Sequence, residues 1–297
     1  MRLATLLLLA VLCADAKTFY LTVAGLGGDP GYEQRFATWA KELDEALKAG
    51  GADVEAVALH GAEATRDKLR SALEATAKKA ASQDTLVVML IGHGSFDGTE
   101  YKINLPGPDI SAVDLAALLD RVSTERQLVV NMTSASGASI HALQKENRSV
   151  ITATKSGTEK NATVFARYWV EALRDASADT DKNEVISAYE AFEWADRKTK
   201  EFYESNKRLA TEHAVLNGGD ERGPMIASGF PLLRIGSIQL ASQDPANQAL
   251  LEKRETLERQ IDQLKFKKAA MPSDQYKKEL TELLLDLART QEELDKQ

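Results

Sequence analysis

The chain has 297 residues, 45 acidic and 37 basic for a net charge of −8, with 43% hydrophobic and 28% charged residues. That balance suits one large folded domain with an appendage rather than a disordered chain. The acidic total, with no basic patch, argues against nucleic acid or an anionic membrane surface as the principal partner.

Taken in chain order, residues 1–16 come first: Arg2, an apolar run over 3–13, and Ala14-Asp15-Ala16 as a small-x-small cleavage site. They read as a secretory signal peptide cut before Lys17, so the mature chain is expected to be secreted or periplasmic. An apolar run of about ten residues is too short for a bilayer, which takes about 20, so no stable membrane insertion is expected. Leu12 precedes the single cysteine, Cys13, where a lipoprotein signal would carry a small residue. Export therefore removes the only thiol and leaves no disulfide to support the fold.

From residue 17 to about 154, apolar β-rich runs at 18–24, 54–59, 85–91, 127–132 and 150–154 alternate with helical spacing at 32–49, 65–82, 111–119 and 136–145. This alternation predicts a three-layer α/β/α domain built on a mostly parallel sheet, spanning 17–240. The run 86–91 is almost wholly apolar, as expected of a strand covered on two faces. Ser111, with Asp114 three residues on, predicts a helix start. Helices at 163–178 and 188–208 flank an acidic loop, and a glycine-rich stretch over 217–229 leads to a last apolar run at 231–235.

Beyond Pro245, Leu250, Leu257 and Leu264 repeat by seven, and Tyr276, Leu280, Leu283, Leu287 and Leu294 follow three-four spacing. Met271-Pro272-Ser273 interrupts the pattern, so 245–297 is predicted to be an antiparallel helical hairpin. Its stripe either packs on its own partner arm or serves as a coiled coil for self-association.

Two strand ends carry the residues most suited to chemistry. Gly92-His93-Gly94-Ser95 follows the third strand, and Thr133-Ser134-Ala135-Ser136-Gly137-Ala138-Ser139 follows the fourth. The C-terminal ends of parallel strands form the ligand crevice, so His93 and Ser134 can converge across about forty residues. Glycines around the histidine allow a backbone N–H, that of Gly94, to serve as an oxyanion donor. Asp84 stands at the opposite end of the His93 strand, and Asp97 belongs to a turn with Gly98, so no third triad member is apparent.

The Gly-His-Gly-Ser turn and the Ser-Gly-x-Ser segment after the next strand resemble the legumain-like and caspase-like cysteine peptidases. The resemblance covers roughly 17–231 and excludes the hairpin. It implies that His93 matches the catalytic histidine and that Ser134 stands where the cysteine belongs. The first strand with Gly27-Gly28 and Tyr32-Glu33-Gln34-Arg35 is similar to the family's first loop, which implies a substrate pocket role for Arg35 with acidic or amide side chains. Thr152-Ala153-Thr154 followed by Glu159, Thr163 and Phe165 resembles the following strand and loop. A serine hydroxyl needs an oriented base, whereas a thiol is already partly ionised near neutral pH. The expectation is a non-catalytic pseudopeptidase that binds a peptide or protein partner. The alternatives are an endopeptidase using Ser134 and His93, and a structural protein whose crevice is vestigial.

A second motif spans 179–190. Asp179, Asp181, Asn183 and Glu190 fall at EF-hand loop positions one, three, five and twelve, and Val185 at position seven supplies a carbonyl. Position six is Glu184 instead of glycine, which costs about 1 kcal/mol for a left-handed turn and predicts weak calcium binding. The competing reading is that Asp179 caps a helix and the other acids are solvated. His60, His141 and His213 show no metal-ligand spacing. Asn131, Asn147 and Asn161 head glycosylation sequons, the first at the end of a predicted core strand.

Overall fold

The computed structural model describes residues 16–51 and 53–296. The segment read as a signal peptide, with Cys13, lies outside the described residues apart from Ala16. In chain order the elements begin with β1 (Thr18–Ala24), α1 (Pro30–Lys48), β2 (Val54–Leu59), α2 (Arg66–Lys79) and β3 (Thr85–Ile91). Three short strands, β4 (Gly94–Phe96), β5 (Tyr101–Ile103) and β6 (Ile110–Ser111), precede α3 (Ala112–Leu119), β7 (Arg126–Asn131), α4 (Ile140–Leu143) and β8 (Arg148–Thr152). Then follow α5 (Phe165–Ala172), β9 (Val185–Ser187), α6 (Ala188–Ser205), β10 (Val215–Leu216), α7 (Gly223–Ser228), β11 (Pro231–Arg234) and α8 (Gly236–Ala241). The hairpin arms are α9 (Gln248–Lys267) and α10 (Ser273–Leu294).

Six strands form the central sheet in the order β10-β8-β7-β3-β1-β2, parallel except for β10 against β8. Strand residues alternate between its faces. Val87, Met89 and Ile91 meet α1, α5 and α6, while Leu86, Val88 and Leu90 meet α2, α3 and α4. The two clusters make the fold a three-layer α/β/α sandwich. All seven residues of β3 are buried, which accounts for its apolar run from Leu86 to Ile91. Ser111 caps α3 through a 3.0 Å bond accepted from the Asp114 amide.

Several boundaries differ from expectation. The fifth strand runs over Arg148–Thr152 rather than 150–154, because Arg148 is drawn inside, donating to Gln127 Oε1 at 2.8 Å and the Leu143 carbonyl at 3.1 Å. The helix expected over 163–178 ends at Ala172, and that expected over 136–145 is a 3₁₀ turn followed by α4. The 217–229 stretch includes α7. Strands β4–β6, β9 and β10, of two or three residues each, carry too few residues for periodicity to show.

The hairpin is joined to the body by buried charge. Arg234 on β11 donates to both oxygens of Asp53, at 2.7 and 2.9 Å, and to Glu255 on α9 at 2.8 and 3.0 Å. Leu251 of α9 and Leu294 of α10 close a small cluster with Val185 and Ile238. No helix among the described residues is long and apolar enough to cross a membrane.

Candidate functional site

β3 and β7 pair in parallel from Thr85↔Arg126 to Leu90↔Asn131, and the Met132 amide extends the register by bonding the Leu90 carbonyl at 2.9 Å. The Gly92-His93-Gly94 turn and the Thr133-Ser134 segment therefore leave the same sheet edge side by side. Gly94 makes the approach possible: a Cβ there would lie 2.4 Å from the Ser134 carbonyl oxygen and 2.6 Å from the Tyr101 hydroxyl. Gly92, at φ +145°, runs against Gly25 at the end of β1.

Behind this edge is a closed hydroxyl network. Asn131 donates to Tyr101 and Ser139 at 3.0 Å each, and its carbonyl oxygen accepts from Thr133 Oγ1 at 2.8 Å. Tyr101 and Thr133 are themselves hydrogen-bonded, and burial pushes the Tyr101 phenol up to about 12. Ser136 Oγ bonds Thr154 Oγ1 at 3.1 Å, and Thr154 Oγ1 accepts from the Gly137 amide at 2.9 Å. Gly137 touches the Lys155–Ser156 backbone so closely that a Cβ would lie 2.2 Å from the Ser156 nitrogen. Asn131 is fully buried, so its sequon is out of reach of solvent.

Ser134 is only 2% exposed. Its neighbour Ala135 takes a left-handed backbone, φ +54°, and donates its amide to the Glu159 carbonyl at 2.8 Å. The His93 ring meets Tyr32 edge-on at 4.7 Å and Phe36 at 5.3 Å, two residues one turn apart on α1. Among the described residues no hydrogen bond joins Ser134 to His93. Burial lowers the His93 pKa; a backbone bond at Gly27 and the charges of Asp29 and Glu33 pull the other way, while Arg35 adds to the lowering.

Arg35 is exposed, with its guanidinium 4.2 Å above the Tyr32 ring and its Nε bonded to the Gly31 carbonyl at 3.1 Å. The structure thus brings Arg35, Tyr32 and His93 into one stack at the crevice. Neither Asp84 nor Asp97, the carboxylates weighed in the sequence for a triad, orients the histidine. Asp84 holds the Lys17 and Ala81 amides at 2.7 and 2.8 Å at the far end of β3. Asp97 accepts from the Thr99 and Glu100 amides at 2.8 Å, bonds that hold its carboxyl below the usual range. Sequence reasoning missed Tyr32 and Phe36 as partners of His93: their i, i+4 spacing puts them on one face of α1 but does not say what that face meets.

The 179–190 loop folds tightly. Oxygens of Asp179, Asp181 and Glu190 lie within 4.8 Å of one another. Asp179 accepts from the Asn183 and Glu184 amides at 3.2 and 3.1 Å instead of capping a helix, and Glu184 takes φ +62°. Asn183 Oδ1 accepts from the Val185 amide at 2.8 Å. Glu190 bonds Thr180 through one oxygen and Ser187 through the other, closing a capping box at the start of α6. Burial, and then the charge of Glu190, raise the Asp181 carboxyl. Val185–Ser187 pairs antiparallel with β11, so the loop has a strand partner from elsewhere in the chain. A cavity of 220 Å³ beside the loop is lined by Asp181, Glu190 and, from α9, Glu258 and Asp262.

No family model matches the chain, and no curated protein matches it. Among solved structures, it is similar to protein GSU0716 from Geobacter sulfurreducens, at 12% identity over 68% of this chain and 92% of that one, with a TM-score of 0.44. Caspase-1 from Spodoptera frugiperda gives 10% identity, 68% and 86% coverage and 0.45. The Drosophila initiator caspase Dronc gives 12%, 67% and 78%, and 0.39. At these values the likeness assigns neither family nor activity.

Proposed function

We propose that the chain is an exported caspase-like or legumain-like domain that binds a peptide or a partner's loop without cleaving it. The supporting observation is the incomplete relay: Ser134 is buried, and among the described residues the His93 ring lies against Tyr32 and Phe36 with no hydrogen bond to Ser134 or to a carboxylate. A serine nucleophile needs both. Arg35, exposed and stacked on Tyr32, is the group available to read an acidic or amide side chain.

The test uses Asp- and Asn-containing peptides with the purified protein and its Ser134→Ala variant. No turnover is expected from either, with equal binding of the acidic peptide; Arg35→Ala should weaken that binding roughly fivefold, as loss of one exposed charge contact would. Turnover abolished by Ser134→Ala would establish the endopeptidase alternative. Absence of peptide binding would leave the crevice vestigial.

A second reading concerns the 179–190 loop, and the proximity of its three carboxylates favours it. We propose that Asp179, Asp181, Asn183, the Val185 carbonyl and Glu190 hold calcium weakly. Hard oxygen donors at these spacings suit that ion.

A further inference from the structure

The hairpin buries part of the seam legible in its sequence, with Leu250, Tyr276, Leu280, Leu283 and Leu287 half-buried, and leaves another face open. Leu251, Leu257, Ile261 and Leu264 on α9 are buried, as are Thr290 and Leu294 on α10, so this stripe faces inward. On the outer side of α10, Lys278, Thr281, Leu285, Ala288 and Glu292 recur at three-four spacing and are all exposed. Leu285 is 52% exposed at the middle of this row, with Leu284 at 48% beside it.

The charges on this face oppose the helix's own preference. A helix favours acids near its N-terminus and bases near its C-terminus. Along with Asp274, Glu279 and Glu282, α10 places Lys277 and Lys278 in its first half; Arg289 precedes Glu292 and Glu293, and its last turn has no basic residue. Lys278 has no ion-pair partner among the described residues. Among the described residues Glu292 meets only Lys296, at 2.9 Å and exposed, a pair worth little and easily exchanged.

We propose that α10 is a self-association surface, pairing antiparallel with α10 of a second copy about a two-fold axis at Leu285. Lys278 and Glu292 lie seven residues either side of Leu285, about 10 Å each way along the axis. Antiparallel pairing sets Lys278 against Glu292 of the second copy, twice; parallel pairing would oppose like charges. Short Thr281 and Ala288 between them let the helices approach, and the contact is isologous, so it closes at two copies. The seam is small beside the ~1,200 Å² lower bound of stable interfaces, so the dimer is transient and micromolar or weaker.

Sedimentation equilibrium of the full chain at low salt, from about 1 μM to 1 mM, should show a monomer–dimer equilibrium. Leu285→Glu should abolish it, with helix content by circular dichroism unchanged because the side chain is exposed. Lys278→Glu and Glu292→Lys should each weaken it about tenfold, and the double exchange should restore it to within about twofold, as complementary pairing requires. A monomer at every concentration overturns the proposal, as does a dimer indifferent to Leu285→Glu. A double exchange no better than either single overturns the antiparallel register.

Discussion

Glycines at the crevice illustrate how a motif can be legible while its reason is not. In the sequence, Gly94 suggests an oxyanion donor and Gly137 completes a family-like Ser-Gly pair. In the fold each permits a close backbone approach, Gly94 to the Ser134 carbonyl and Gly137 to the Lys155–Ser156 backbone. His93 was legible as a strand-end histidine, but its packing on Tyr32 and Phe36 depends on where α1 docks, which no local pattern encodes. Glu258 is another residue whose character emerges only from packing. Burial, assisted by Glu255, Asp181 and Asp262 and opposed by Arg254, pushes its carboxyl up to about 7. A carboxyl raised above its unfolded value lets the native state bind the extra proton, so stability falls as pH rises through the interval from about 4.5 to 7. Glu258→Gln should therefore match the parent at pH 5 and exceed it at pH 8, by up to about 3 kcal/mol in urea unfolding with chelator present. An unchanged difference between the two pH values would show that Glu258 titrates normally.

At the level of elements, β3 and the hairpin arms were read well, whereas the helices expected over 136–145 and 163–178 and the shortest strands were not. β3 runs over Thr85–Ile91 as expected, because complete burial on two faces leaves an unbroken apolar run. The helical hairpin was equally plain, since heptad spacing and Pro272 are both local signals. What local signals omit is attachment. Arg234 appears in sequence inside the apolar run 231–235, yet it links β11, the turn before β2 and α9 through Asp53 and Glu255. Removing one member of a buried ion pair leaves an uncompensated charge, at a cost of about 3–5 kcal/mol. Arg234→Ala should lose stability of that order in chemical denaturation; Arg234→Met in combination with Asp53→Leu and Glu255→Leu should recover most of it. Retained stability in the single variant would mean that the triad contributes nothing at the hairpin root.

Across the whole molecule, the sheet, the acidic loop and the hairpin meet at one junction. Arg254 of α9 donates to the Asn183 carbonyl in the loop at 2.6 Å and to Gln291 of α10 at 3.0 Å. A ligand bound only by the native state adds stability by mass action, about 2.7 kcal/mol at a hundredfold excess over its Kd. Calcium at millimolar concentration should thus raise the melting temperature of the full chain by a few degrees. Asp179→Asn should remove that rise, and an equal rise in the variant would place any calcium effect elsewhere. The loop's ligand spacing was visible in sequence, whereas its strand pairing with β11 and its contact with the hairpin join segments tens of residues apart.

Glu184 carries a consequence for any attempt to tighten that loop. Its carboxylate accepts from Ser237 Oγ at 2.6 Å and from the Ile238 amide at 3.1 Å, and it lies over Gly236. Glycine at 184 would relieve the left-handed backbone but untie the segment that leads into the hairpin. Stronger capture of the proposed calcium and a firmly seated C-terminal arm are thus competing demands on a single side chain.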